Sequence, residues 1–318
     1  MVASSVWRDW VICTAAGCFL FVAGSLAPLL ALPLMLVYPC PALLFSYERG
    51  ARRALSSGLV VSMILLLLLP PFYPAMYFFT FWVSGTLIGA IARRVEGHGD
   101  LLLAGVVVSL ACKVAVAMAS ARLTGINILM PDAAEMERVL IALGGSGLYS
   151  LPGGGAFSHV EDIRDTVNFM IMLMPFSMLI FSSIEVLVCC FLSSRIHMRR
   201  GGEPFFSLPP FGSWSLPRNI LIALVVGFIC DRVSAGRPDL YMVRQVGANL
   251  SAASRTLFII QGLAVAYHFM ENAGLPRFLR IILVLFAPLL SPMGDVCAIV
   301  GIVDIGFDLR KRMRRKPQ

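Results

Sequence analysis

Charge is what this 318-residue chain has least of: 14% of its residues are Asp, Glu, Lys or Arg against 58% hydrophobic ones, and the charges gather into short clusters between long apolar runs. That scarcity points away from a water-soluble globule and toward a polytopic membrane protein. Motifs for metal, disulfide or nucleophilic chemistry are missing as well. The eight cysteines (Cys13, Cys18, Cys40, Cys112, Cys189, Cys190, Cys230 and Cys297) all lie in apolar segments with no CxxC spacing, and the four histidines are scattered. The cysteines read as small buried apolar side chains. No Ser/His/Asp or Cys/His arrangement stands at a recognisable spacing, so neither an enzyme nor a cofactor is expected. The run "GGSGLYSLPGGG" (144–155) lacks the Lys and Ser/Thr that follow the glycines of a phosphate loop. It reads instead as a flexible hinge. A net charge of +8 would suggest a nucleic-acid partner in a soluble protein, but here the basic residues sit at the ends of hydrophobic segments. They report topology, and the partner they imply is the lipid bilayer, not nucleic acid.

What is present is a series of spans. From Trp10 to Tyr47 no residue is charged, a run of 38 positions, where one spanning helix needs roughly 20. Two helices are therefore expected there, turned near Pro28 and Pro33. Such a run is also too long for a cleaved secretory signal, whose apolar region is about 7 to 15 residues. Apolar runs between charges and turn residues predict helices over 10–27, 29–46, 54–69, 75–92, 101–121, 167–193, 217–235 and 253–271, followed by a pair over 279–291 and 294–308. The expected fold is thus an all-α transmembrane bundle of about eight full spans plus a C-terminal proline-broken hairpin, in a single integral membrane domain over 1–318.

Placing the N-terminus inside puts the clusters Arg49/Arg52/Arg53, Arg93/Arg94, Arg195/Arg199/Arg200 and Arg277/Arg280 on the cytoplasmic side, together with the basic tail 309–318. The opposite side receives "PPFYP" (70–74) and the loop 122–165, which has six carboxylates against three arginines. Within that loop "PDAAEMERVLIAL" (131–143) has the acidic first turn and apolar spacing of a short amphipathic helix. On the inner side "PFFSLPPFGSWSLPRN" (204–219) has the aromatic and proline content of an interfacial lead-in to a span, with Trp214 near the headgroups.

Several polar residues fall where an apolar one would be cheaper. Lys113 stands eight residues from the outer end of its segment, roughly 12 Å deep. There a charge costs at least about 2.5 to 3.5 kcal/mol unless it snorkels, is paired or meets an anion. Asp295 is the partner favoured on depth, and Glu185 is the second choice. Gln261 and His268 are seven apart and share a helix face, either lining a polar cavity or making interhelical hydrogen bonds. Asp304 and Asp308 share a face near the inner surface. Asp304 lies roughly 9 Å below it, and Asp308 is at helical spacing from Lys311 and Arg312. These two acids either are neutralised by local basic residues or serve in coupling or partner docking. Each half of the final pair is about 20 Å of helix against a roughly 30 Å core, so "APLLSPMGD" marks either a re-entrant hairpin or two thin, tilted spans. Small residues recur every four positions in Ala23-Ala27-Ala31, Gly85-Gly89 and Ala111-Ala115-Ala119, a pattern that permits close helix approach.

The stretches "LPPFGSWSLPRN", "NLSAASRTLFIIQGLAVAYHFMENAGLP" and "GIVDIGFDLRKR" give the chain a resemblance to the YybS-like family of uncharacterised bacterial membrane proteins. That resemblance implies a bacterial cytoplasmic membrane location. At the level of fold it extends to the S components of energy-coupling-factor transporters, which bind small substrates and rely on a separate transmembrane subunit and ATPases. It would make Ala23, Ala27 and Ala31 a coupling surface and an energising membrane subunit a partner. Two functions then compete. One is a protein that binds or helps move a small solute, with Lys113, Asp295, Gln261, His268 and Glu185 facing its polar interior. The other is a scaffold that recruits proteins through its basic cytoplasmic face, with Asp304, Asp308 and Arg310 in the docking surface.

Overall fold

A computed structural model describes residues 2–125, 160–290 and 292–310, together with Ala134, Met136 and Arg138. All the regular structure among these residues is helical, as hydrocarbon requires of an open chain whose backbone polar groups must be satisfied within the segment. The glycine hinge 144–155, most of the helix expected over 131–143 and the tail from 311 onward lie outside the described residues. The chain forms two compact units, Met1–Val167 with Ser177–Ser207, and Asn168–Phe176 with Leu208–Gln318.

The first unit contains α1 (Val2–Leu26), α2 (Pro28–Met35), α3 (Cys40–Arg49), α4 (Ala51–Leu66), α5 (Phe72–Tyr77), a π-helical turn (Phe78–Trp82), α6 (Val83–Ala92) and α7 (His98–Thr124). Then come α8 (Val160–Met172) and α9 (Met174–Arg199), which the first unit shares with the second. Pro28 opens α2, where its missing N–H costs nothing. Pro33, the second expected turn, lies inside α2; the chain breaks instead over residues 36–39, ahead of Pro39 and Pro41, neither of which has an N–H to donate. Cys40 N–H turns to Val37 O (2.9 Å), and the Leu36 carbonyl accepts the Cys189 thiol instead (3.1 Å). The Cys13 thiol donates to Pro41 O (3.4 Å). These two cysteines thus do more than fill space: they donate to carbonyls of a broken helix. The core beside them holds Tyr77 and Trp82, which donate to Gly17 O (3.2 Å) and Ala54 O (2.8 Å).

The second unit contains α10 (Ile220–Ser234), α11 (Tyr241–Asn272), α12 (Arg277–Phe286) and α13 (Met293–Phe307). The long α11 packs against α10 and α13. A Cβ on Gly262 would overlap the Cys297 carbonyl, and one on Gly301 would overlap Phe258 O. The backbones of α11 and α13 therefore touch, which only glycine at these two positions permits. Asn249 of α11 serves the interruption between α8 and α9, donating from Nδ2 to Met172 O (2.8 Å) and accepting Phe176 N–H at Oδ1 (2.8 Å).

Among the described residues six helical stretches are long and apolar enough to cross a membrane: Val6–Leu26, Leu30–Arg49, Phe72–Ala92, His98–Thr124, Met174–Arg199 and Tyr241–Asn272. The segments expected over 54–69 and 217–235 form α4 and α10, of 16 and 15 residues, about 24 and 22 Å at 1.5 Å per residue. The expected proline break falls between α12 and α13, where Ala287–Leu289 makes a 3-10 turn before Pro292. Large apolar side chains point outward, Leu67 and Leu123 each 85% exposed and Phe278 76%. In water such surface would be a liability. Against lipid tails it is the expected outer face of a membrane helix.

Candidate functional site

Lys113 is paired, and its partner is Glu185. Nζ lies 2.6 Å from Glu185 Oε2 and donates to Ser109 Oγ at 2.5 Å, while Ser109 in turn donates to Glu185 Oε1 (3.2 Å). The ammonium also faces the rings of Phe81 and Phe181, with centroids at 5.8 and 5.4 Å. Glu185 is fully buried and the Lys113 side chain is 9% exposed. This is a closed network, with a partner for both carboxylate oxygens. The pairing of Lys113 with Asp295 expected from depth is thereby corrected. Asp295, in the first turn of α13, is 58% exposed and bridges Arg255 of α11 at 2.5 Å. Counting residues from a helix end favours Asp295 over Glu185; the choice is made by which helices touch, and Gly105 of α7 lies against Val186 of α9.

A different set of polar residues converges on open space. In the second unit a cavity of about 650 Å³ is walled by the loop 210–218, the end of α11 and the end of α13. Gln261, His268, Asp304, Asp308 and Arg310 all line it. The Gly262–Gly301 contact explains the meeting, because it carries Gln261 up to Asp304: Gln261 Nε2 donates to Asp304 Oδ2 at 2.6 Å, and its Oε1 accepts Leu216 N–H at 3.0 Å. Arg310 Nη2 adds a second bond to Asp304 Oδ2 (2.9 Å), and Nη1 reaches the Gly212 carbonyl (2.7 Å). Asp304 itself is 2% exposed at its side chain, and its Oδ1 has no hydrogen-bond partner among the described residues.

Arg310 reaches Asp304 because of Asp308. Residues six apart on a straight helix point about 120° apart, more than a turn and a half along the axis, and cannot meet. Asp308 leaves α13 in the left-handed conformation, with φ 54°, and turns the chain back. Arg218, Glu271 and Asn272 complete the polar wall. Asn272 Nδ2 donates to His268 Nε2 (3.1 Å), and Glu271 is held by Arg280 at 2.5 Å. The exposed Arg218 has no ion-pair partner among the described residues. The cavity therefore offers a guanidinium and an imidazole to one polar molecule, with the unpartnered Asp304 Oδ1 buried in its wall. Among the described residues no group of three His, Cys, Asp or Glu side chains could hold a metal ion.

The family model described as "Predicted membrane protein (DUF2232)" matches residues 15–305. The chain belongs to this family. No curated protein matches the chain, and no solved structure does.

The remaining expected residues of this DUF2232 chain are divided. Ala23, Ala27 and Ala31 do not form one stripe: α1 ends at Leu26, Ala27 has the non-helical φ of −122°, and Ala31 belongs to α2. Gly85 and Gly89 are used internally, against the carbonyls of Pro39 and Leu43. Arg218 and the loop carbonyls gave no signal in the sequence beyond the density of proline and aromatic residues over 204–219. There Trp214 packs on Phe211, which in turn meets Tyr267 of α11.

Proposed function

We propose that this DUF2232 protein binds a small polar solute in the cavity between the 210–218 loop, α11 and α13, and helps to move it across a bacterial cytoplasmic membrane. The observation that carries this reading is the buried carboxylate of Asp304, which lines a 650 Å³ cavity with one oxygen unpartnered. An unfilled buried acceptor costs about 1 to 3 kcal/mol or more when the group is charged, and a ligand with an N–H or O–H donor relieves that cost. Positive-inside topology puts the cavity on the cytoplasmic face, with about eight spans, a C-terminal hairpin and both termini inside. The chain holds no ATP-binding motif, so movement against a gradient calls for an ion gradient or for an energising membrane subunit of the kind the S-component resemblance implies. Lys113 and Glu185 have a structural role in this reading, and Asp295 is outside the site.

The test is native mass spectrometry of the protein released from mild detergent. A small-molecule adduct is expected on the native protein and is expected to disappear in Asp304→Asn, while Lys113→Met that still inserts retains it. An identical adduct on Asp304→Asn would overturn the assignment of this site, and an empty native protein carrying a stoichiometric protein partner instead would overturn the proposal in favour of a scaffold.

A further inference from the structure

A second recess lies in the first unit and has the opposite chemistry. It is about 320 Å³ in volume, with Ala16, Phe19 and Leu20 of α1 facing Leu44 of α3 and Leu192 and Ile196 of α9. Its only charged lining residues, Asp9 and Arg200, stand at one end. Both are fixed: Asp9 accepts Arg49 at 2.6 Å, and Glu48 accepts Arg200 at 3.0 Å and meets His197 at 2.9 Å. The helix ends joined by these bridges carry Arg8, Arg49, Arg52 and Arg53 on one side and Arg195, Arg199 and Arg200 on the other, against the carboxylates Asp9 and Glu48 alone. Seven positive charges against two negative leave an excess of five at the charged end.

Dimensions select the occupant. Along α1 the lining runs from Asp9 to Leu20, eleven residues or about 16 Å of helix, close to half of a roughly 30 Å hydrocarbon core. A volume of about 320 Å³ spread over that length is a groove narrower than a helix about 10 to 12 Å across. A polymethylene chain fits and a partner helix does not. We infer that the recess is a lipid site, holding one acyl chain of an anionic phospholipid from the leaflet on the basic side, with the headgroup phosphate at Arg200. This site is independent of the solute cavity.

The experiment is lipid titration of the full chain in mild detergent, read by native mass spectrometry with dioleoyl phosphatidylglycerol and dioleoyl phosphatidylethanolamine in equal amounts. One phosphatidylglycerol is expected to be retained preferentially. Arg200→Gln should lower the preference for phosphatidylglycerol about fivefold, the effect of one basic residue near an anionic surface, because the net negative charge that distinguishes it from zwitterionic phosphatidylethanolamine meets one cation fewer. Ala16→Trp fills the channel and should abolish retention of both lipids; Ile196→Phe, a milder filling, serves if the first variant does not fold. Equal retention of both lipids by the native protein, or undiminished retention in a folded channel-filling variant, overturns the inference.

Discussion

Replacing Lys113 by Met isolates what the buried network in the first unit does. The substitution keeps the length of the side chain and removes the ammonium that Glu185 and Ser109 share. Glu185 is left fully buried, with Ser109 as its remaining donor at 3.2 Å. Breaking a buried pair in this way destabilises by about 3 to 5 kcal/mol. Glu185→Leu leaves the ammonium unmatched instead, at a cost of at least about 2.5 to 3.5 kcal/mol. The double variant Lys113→Met/Glu185→Leu removes both charges together, and such replacements are commonly neutral or stabilising by about 1 to 4 kcal/mol. A double-mutant cycle therefore should show a coupling of several kcal/mol, the double variant being more stable than either single one. The assay is reversible unfolding in mixed detergent micelles, followed by helical circular dichroism. Additive destabilisation, with the double variant the least stable of the three, would refute the reasoning that these two charges are matched to each other and serve no third group.

Other substitutions test the packing. Gly262→Ala should separate α11 from α13, because the added methyl overlaps the Cys297 carbonyl; a loss of about 1 to 3 kcal/mol is expected on thermal unfolding, together with loss of the solute adduct as Gln261 withdraws from Asp304. Cys189→Ser keeps a donor for the Leu36 carbonyl and should be close to neutral, whereas Cys189→Ala leaves that carbonyl orphaned and should cost about 1 to 3 kcal/mol in the same unfolding assay.

The helical segments were legible because hydrocarbon imposes a simple rule on composition: long runs without charge must be helices, and every run read as a span forms one or more of them. Partnership was less legible. Lys113 stood out as a charge in need of a counter-charge, but depth along a helix has no information about azimuth, and Glu185, the second choice on depth, is the acid on the helix that packs against that of Lys113. The four-residue alanine spacing assumes an unbroken helix, and Pro28 interrupts the one through Ala27. Gln261, His268 and Asp304 were visible as polar residues in apolar surroundings; that they share one cavity depends on the glycine contact between α11 and α13 and on the left-handed turn at Asp308. The cavity's third wall is a loop whose hydrogen bonds come from backbone groups, which leave no mark on residue identity.

That loop also divides the labour of holding the cavity's third wall in place. The wall formed by α11 and α13 is joined backbone to backbone, so it moves as one body. The 210–218 segment is fastened to it by two hydrogen bonds, Leu216 N–H to Gln261 and Arg310 to the Gly212 carbonyl, with the Phe211–Tyr267 ring contact beside them. One neutral bond at about 1 kcal/mol and one charged bond at about 1.5 to 3 kcal/mol contribute about 2.5 to 4 kcal/mol, and the Phe211–Tyr267 contact and the packing of Leu216 against the buried cluster around Phe258 add to it. Both hydrogen-bonding groups on the loop belong to the main chain, so they survive a change of side chain within the segment, while a change at Gln261 or Arg310, outside the loop, removes one of the two bonds directly.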